Sequence, residues 1–469
     1  MDKFYITAAI PYANAKPHIG HALEFIQADA LKRYHRLLGE KALSLSGGDE
    51  NALKNVQAAT AAGRPLQEFI DENTEAFRQL AINLNAGFDI WQKGSDREHH
   101  YRASQKLWEL CAKNGDIYKK SYKGLYCVGC EAFYTPDELN EGECFEHPGK
   151  KLEEVEEENY FFRLSKYQEP LIELIEKDTL RVVPDFRKNE VLSFLKGSLN
   201  DISISRSNER AKDWGVPVPN DATQKIYVWF DALNIYQSGI GFGWNEKEYE
   251  KWWPADVHDI GKGITRFHAV YWPAFLLSAG LKLPKTILVH GYLTVNGRKI
   301  SKSNPETVID PTPIIQKYGA DAIRYYLLAK INPFGDGDFS EEKLKEVYNA
   351  DLANGLGNLV ARVAKLGEKI GYEPGTSEQK LSHNLDDFRI DLALEKLWQK
   401  IDELNGFVDQ NQPWKLEGKE LTGFLDKIVP EIQNLSYNVT PFIPETSQKI
   451  TNQFSQKLVS QPPLFPRIP

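Results

Sequence analysis

The first fifty residues restrict the fold most. The stretch KFYITAAI, residues 3–10, is a short apolar run rich in β-branched side chains, and Pro11-Tyr12-Ala13-Asn14 follows it. A run of this kind entering a turn predicts a buried strand. From Ile19 to Leu38 the apolar positions are Ile19, Leu23, Ile26, Ala30, Tyr34 and Leu37, a spacing of three or four that predicts a helix. Gly39 stands where a C-terminal cap belongs. ALSLS, residues 42–46, predicts a second strand. Strand, helix and strand in so short a stretch form a βαβ unit, which implies a parallel, doubly wound sheet.

Two later runs, KIYVWFDAL (225–233) and KTILVHGYL (285–293), read as further buried strands, with a helix between them over 264–281. Periodicity fades after about residue 115, and residues 118–160 are rich in Tyr, Gly, Glu and Cys. The expectation is an α/β, Rossmann-like domain split by an insertion. Its first half covers 1–115, the insertion 116–222 and its second half 223–340. From 341 to 469 helical stripes dominate, such as Leu344, Val347, Leu352, Leu356, Leu359, Val363 and Leu366, then Leu394, Leu397, Ile401, Leu404 and Val408. They predict an all-α bundle, closed by the proline-rich strap QPPLFPRIP.

A chain of 469 residues is too long for one ordinary core, consistent with several domains. No stretch approaches the roughly 20 apolar residues of a membrane helix, and the N-terminus has no signal-peptide pattern. A cytoplasmic protein is expected. The formal net charge of −9 argues against loose, charge-driven nucleic-acid binding, though a local basic groove survives such a sum. Four cysteines are too few for a disulfide scaffold. Cys127-x2-Cys130 and, after thirteen intervening residues, Cys144-x2-His147 fit one tetrahedral structural zinc, with Gly129 and Pro148 favouring tight turns. A redox Cys-x-x-Cys is the alternative, which the second two-residue spacing disfavours.

Two segments suggest phosphate chemistry. His18 and His21, three apart across Gly20, open the helix after the first strand. A helix N-terminus favours anions, a glycine lets a ligand approach the backbone, and each imidazole can donate to a phosphate oxygen. Two histidines that simply cap the helix are the plainer account. The second segment, Gly297–Ser303, carries Arg298, Lys299 and Lys302 after a strand, and lysine ammoniums suit phosphate. Together, His18-Ile19-Gly20-His21 and Lys299-Ile300-Ser301-Lys302-Ser303 resemble the HIGH and KMSKS signatures of class I aminoacyl-tRNA synthetases, with Ile in place of Met in the second. The resemblance implies an ATP site that includes Lys16, His18, Gly20, His21, Gly261, Lys299, Ser301 and Lys302, with His18, His21, Lys299 and Lys302 catalytic.

The stretches 8–24, 227–236 and 264–275 are similar to the methionyl branch of that class. The resemblance implies an amino-acid pocket of Ile10, Tyr12, Trp229, Ala232, Leu233, Tyr236, Ile264, His268 and Trp272, with Asp49 holding the substrate ammonium. Aromatic rings contact a thioether favourably, and Tyr12 or His268 would offer it a weak hydrogen bond. The same resemblance makes Asn358, Arg362, Pro413 and Trp414 readers of a CAU anticodon. It implies one structural zinc and MgATP, methionine and tRNA(Met) as substrates, with no membrane partner and a monomeric state. The expected activity is methionine–tRNA ligation through methionyl-adenylate. A class I synthetase for another amino acid and a non-catalytic tRNA-binding paralogue are the alternatives. Two departures from the family pattern stand out: Gly47-Gly48-Asp49-Glu50-Asn51-Ala52 has Asn where His is usual, and Gly261-Lys262-Gly263 lacks the usual Asp.

Overall fold

The computed structural model describes residues 2–127, 132–134, 139, 142–144, 149, 151–300 and 305–469. The chain forms two compact units. The first comprises 1–17, 40–79 and 88–290; the second comprises 18–39, 80–87 and 291–469.

In the first unit the strands are β1 (Lys3–Ala8), β2 (Lys41–Gly48), β3 (Ile90–Lys93), β4 (Ile117–Cys127), β5 (Ala132–Tyr134), β6 (Glu153–Phe162), β7 (Arg181–Val183), β8 (Ile202–Ser203), β9 (Ser205–Ser207), β10 (Pro217–Val218), β11 (Asp221–Ile226), β12 (Val257–Gly261) and β13 (Thr286–His290). Six of them make one sheet in the order β3-β2-β1-β12-β13-β7, parallel throughout. The order runs outward in both directions from β1 and β12, so the switch point of this doubly wound sheet lies between them. Crevices at such points, beyond the carboxyl ends of the strands, are where ligands of these sheets sit. The segments leaving β1 and β12 carry Ile10 and Tyr12, and Gly261 and Ile264, respectively.

One expectation needs correction, and one strand was not foreseen. The run KIYVWFDAL is not one strand: β11 ends at Ile226, within a small antiparallel sheet β10-β11-β9, and Val228–Leu233 is a helix. β-branched and aromatic residues favour strands only weakly, and packing overrides them. Trp229, Ala232, Leu233 and Tyr236 fall at helical spacing on one side. The missing central strand is β12, whose sequence VHDIG is broken by His258 and Asp259 and so does not read as an apolar run. The insertion holds a long antiparallel hairpin, β4 against β6, in a sheet of order β5-β4-β6-β8. It also returns β7 to the edge of the parallel sheet.

The second unit contains α1 (Ile19–Leu37), as the periodicity predicts, and the short strands β14 (Leu293–Val295), β15 (Arg298–Lys299) and β16 (Gly337–Phe339). α1 packs against β14. The helical stripes are confirmed over Glu341–Val347, Asn358–Ile370 and Ile390–Asn411, followed by Gly418–Val439 and Pro444–Phe454. The last residues form no regular element; Phe465 is buried, and the Ile468 amide and carbonyl both bond the Asn349 side chain. Within this unit α1 is fastened by Arg324, a fully buried guanidinium that pairs with Asp29 at 2.8 Å. Burial alone would raise the Asp29 carboxyl, but Arg324, Arg33 and Lys32 outweigh it and hold its pKa below the usual value. Among the described residues no helix is long and apolar enough to cross a membrane.

Candidate active site

In the second unit, α1 begins on the histidine pair. His18 is the N-cap, and its Nδ1 accepts from the Gly20 amide at 3.1 Å. His21 Nδ1 lies 3.1 Å from the His18 amide and 3.3 Å from its carbonyl, and the shorter contact is the amide donating. Both Nδ1 atoms are therefore acceptors, and each neutral ring carries its proton on Nε2. The ring centroids stand 4.0 Å apart. Desolvation and the neighbouring His18 push the His21 pKa well below its ordinary value, so this imidazole is neutral. Helix capping and hydrogen-bond donation are thus compatible: one nitrogen of each ring does each job. A Cβ at Gly20 would sit 3.0 Å from the His18 ring and 3.5 Å from Ile300, so only glycine fits without a shift.

The same geometry shows that the two signature segments meet. Ile19, in the first, donates its amide to the Ile309 carbonyl at 3.0 Å, just beyond the second, and Gly20 faces Ile300 within it. Lys299 ends β15 with its ammonium 4.4 Å from the Tyr292 ring. Ser301 and Lys302 lie outside the described residues.

The candidate amino-acid pocket belongs entirely to the first unit. Backbone bonds join Asp49 to the segment after β1: its amide donates to Pro11 at 2.9 Å, and its carbonyl accepts from Ala13 at 3.2 Å. Tyr12 and Asp49 are thereby bridged. Trp229 stands edge-on to Tyr12 at 6.2 Å and edge-on to His268 at 6.4 Å. Ala232, Leu233, Tyr236 and Trp272 are buried, while Ile10, Tyr12 and Ile264 are partly buried and pack on the same core. Gly261 ends β12, and Lys16 is exposed and ion-paired with Glu72.

Hydrogen-bond chemistry fixes the proton positions behind this pocket. His268 Nδ1 is 3.0 Å from the Ile264 carbonyl, which only accepts, so Nδ1 carries the proton. Nε2 is then bare and accepts the Tyr236 hydroxyl at 2.7 Å. Burial lowers the His268 pKa to about 4. The expectation that His268 donates to a thioether is therefore corrected: its one N–H is spent on Ile264. The Trp272 indole donates to His258 Nε2 at 3.3 Å, which leaves His258 Nδ1 to donate to Thr7 at 2.6 Å.

Three contributors escaped sequence reading. Phe267 stacks on Trp229 at 3.8 Å with rings nearly parallel; it adjoins His268, and only the π-helical turn Phe267–Tyr271 directs both into one region. His258 reads in isolation as a core histidine. Lys54 sits 3.0 Å above the Tyr12 ring, and nothing in its local sequence signals that contact.

In the insertion, Cys127 and Cys144 are buried and packed together with Tyr134 and Leu152 alongside. Cys130 and His147 lie outside the described residues. In the helical part, Arg362 lies one turn after the exposed Asn358, with its guanidinium 5.6 Å from the Trp414 ring and donating to Asp409 at 2.6 Å. Trp414 is 50% exposed, on a 3₁₀ turn anchored by the buried Pro413.

The family model described as tRNA synthetases class I (M) matches residues 4–364. The chain belongs to this family. It is 43% identical to the methionine–tRNA ligase of Thermotoga maritima over 97% of this chain and 75% of that one. It is 41% identical to the Brucella suis methionine–tRNA ligase over 96% and 91%, respectively. Among solved structures, Mycobacterium tuberculosis methionyl-tRNA synthetase bound by methionyl-adenylate superposes with a TM-score of 0.91 at 34% identity, covering 99% of this chain and all of that one.

The buried histidine gives a pH dependence. An unfolded chain protonates His268 near pH 6.5, whereas the folded chain resists until about pH 4. Between those values the unfolded state binds more protons, so stability falls as pH drops through the window, by about 3 kcal/mol from this residue. Urea unfolding across pH 4–7 is expected to show His268→Gln losing up to about one proton of that slope; an unaltered slope would refute the assignment.

Proposed function

We propose that the chain attaches methionine to tRNA(Met). The methionine carboxylate attacks the α-phosphate of MgATP, forming methionyl-adenylate and releasing pyrophosphate. The methionyl group then passes to the 3′-terminal adenosine of the tRNA, in class I fashion to the 2′-hydroxyl. The observation that carries this reading is the meeting of the two signature segments within one unit, where the Ile19 amide bonds the Ile309 carbonyl and Gly20 faces Ile300.

The chemistry asks little of proton transfer. A carboxylate is already ionised at neutral pH, so positioning and charge stabilisation carry the barrier. The neutral rings of His18 and His21 turn Nε2–H donors toward the phosphates, and Lys299 and Lys302 neutralise the leaving pyrophosphate. Asp49 takes the ammonium, while Trp229, Tyr12, Tyr236 and the aliphatic residues enclose the thioether. Gly263 leaves no carboxylate at that position for the ribose. The segments 1–115 and 223–340 are read as the catalytic halves, 116–222 as the zinc-bearing insertion and 341–469 as the anticodon-binding domain, in a cytoplasmic monomer.

Amino-acid-dependent ATP–pyrophosphate exchange with each of the twenty amino acids is the deciding experiment. Methionine alone is expected to support rapid exchange, and His21→Ala to slow it about a hundredfold. Exchange with another amino acid would replace the specificity, and tRNA binding without any exchange would favour the non-catalytic alternative.

For the tRNA, exposed Trp414 with Arg362 and Asn358 supports recognition of unpaired bases by stacking and base-edge contacts. Trp414→Ala is expected to lower kcat/KM for charging about tenfold to a hundredfold while leaving pyrophosphate exchange intact. Equal loss in both assays would contradict the assignment.

Cys127 and Cys144 fit zinc chemically: two buried cysteine sulfurs packed together are soft ligands. With Cys130 and His147 they would hold one structural ion that cross-links the hairpin. Metal analysis is expected to find about one zinc per chain, reduced in Cys144→Ser; a metal-free, fully stable chain would exclude it.

A further inference from the structure

A buried polar cluster backs the candidate methionine pocket, and the adenylation steps make no use of it. Asp231, 2% exposed, lies in the helix Val228–Leu233 between Trp229 and Ala232. Its carboxylate accepts three hydrogen bonds: from Asn51 Nδ2 at 2.6 Å, from His100 Nε2 at 2.8 Å and from the Ser104 hydroxyl at 2.7 Å. His100 Nδ1 lies 2.8 Å from the Ser238 hydroxyl. Ser238, His100 and Asp231 thus have the connectivity of a nucleophilic triad, with Ser238 and His100 fully buried. The cluster is a fastening, and Asn51 is the part of it that reaches the ammonium side of the pocket.

The Asn51 amide nitrogen also donates to the Gly94 carbonyl at 2.7 Å, so both of its N–H bonds are spent, and Asn51 Oδ1 accepts the Tyr101 hydroxyl at 3.3 Å. A neutral imidazole at this position has a single N–H and could not hold a carboxylate and a carbonyl from one atom. Asn51 follows Asp49 by two residues. The intervening Glu50 is itself held by Thr74 at 2.8 Å and by the Ser95 amide at 3.0 Å. The short segment 49–51 is therefore fixed on one side through Glu50 and joined through Asn51 to the helix carrying Trp229, Ala232 and Leu233.

An amino acid is gripped at two ends, and two anchors bind strongly only when their separation is fixed before the ligand arrives. We propose that Asn51 is a positioning residue for amino-acid recognition: its amide sets the distance between Asp49 and the side-chain pocket. The proposal rests on reading this pocket as the methionine site.

The test uses the full chain, with methionine titration and pyrophosphate exchange. Asn51→Ala is expected to raise the methionine KM about tenfold while kcat and the ATP KM stay within about twofold. Asn51→Ser, which keeps a short donor, gives a smaller rise and serves as the second variant if the first fails to fold. In an Asp49→Asn background the same Asn51→Ala change is expected to add less than about twofold, since no ammonium anchor remains to be misplaced. The same tenfold effect in both backgrounds, a joint loss of kcat and ATP binding, or unfolding of both variants would overturn the proposal by making Asn51 a stability element only. Failure of the pocket reading has a different signature: the wild-type chain itself would show no methionine-dependent exchange.

Discussion

The buried guanidinium of Arg324 is the constraint around which the second unit is arranged. Its Nε donates to the Phe442 carbonyl at 2.7 Å, one terminal nitrogen to Pro441 at 2.8 Å, and the other reaches the carbonyls of Leu84 and Asn85 as well as Asp29. Four chain segments distant in sequence converge on one planar group: α1, the 80–87 turn, the helix Ala320–Ala329 and the turn before the last helix. A buried charge is tolerated only when every donor is satisfied, and here backbone carbonyls do most of that work. Such a node is demanding, because no other side chain offers five donors in a rigid fork. It sets the seat of α1, and so of the histidine pair at its start.

The same logic of saturated donors governs the first unit. Tyr236, His268 and Ile264 form a chain in which each proton has one place to go. Trp272, His258 and Thr7 form a second such chain. Asp231 gathers three donors. An apolar cavity discriminates by shape alone, and only weakly between close analogues. Holding its aromatic walls by directed hydrogen bonds makes that shape rigid, and a rigid site loses less on ordering itself around a ligand.

Much of this was legible in the chain. The helical spacing from Ile19 to Leu37, the strand-like runs 3–10 and 42–46, and the C-terminal leucine stripes each report a local pattern, and local patterns survive into the fold. The place of the HIGH-like tetrapeptide at the start of a helix was readable because the turn and the helical spacing around it are local. The central strand β12 was not legible, since His258 and Asp259 interrupt its apolar run and only neighbours on both sides make it a strand. The helix at Val228–Leu233 was hidden for the opposite reason: its residues favour strands, and burial against a helical surface overrode them.

What the sequence determined by itself was the class of sheet and the succession of helices, because each depends on residues within a few positions of one another. Only the tertiary structure decided which atom of His258 carries the proton, that Phe267 faces Trp229, and that Asn51 bridges Asp231 to Gly94. Those outcomes depend on partners brought together across up to 251 positions of chain, and a hydrogen bond is settled by distance and direction in space, which no spacing along the chain encodes.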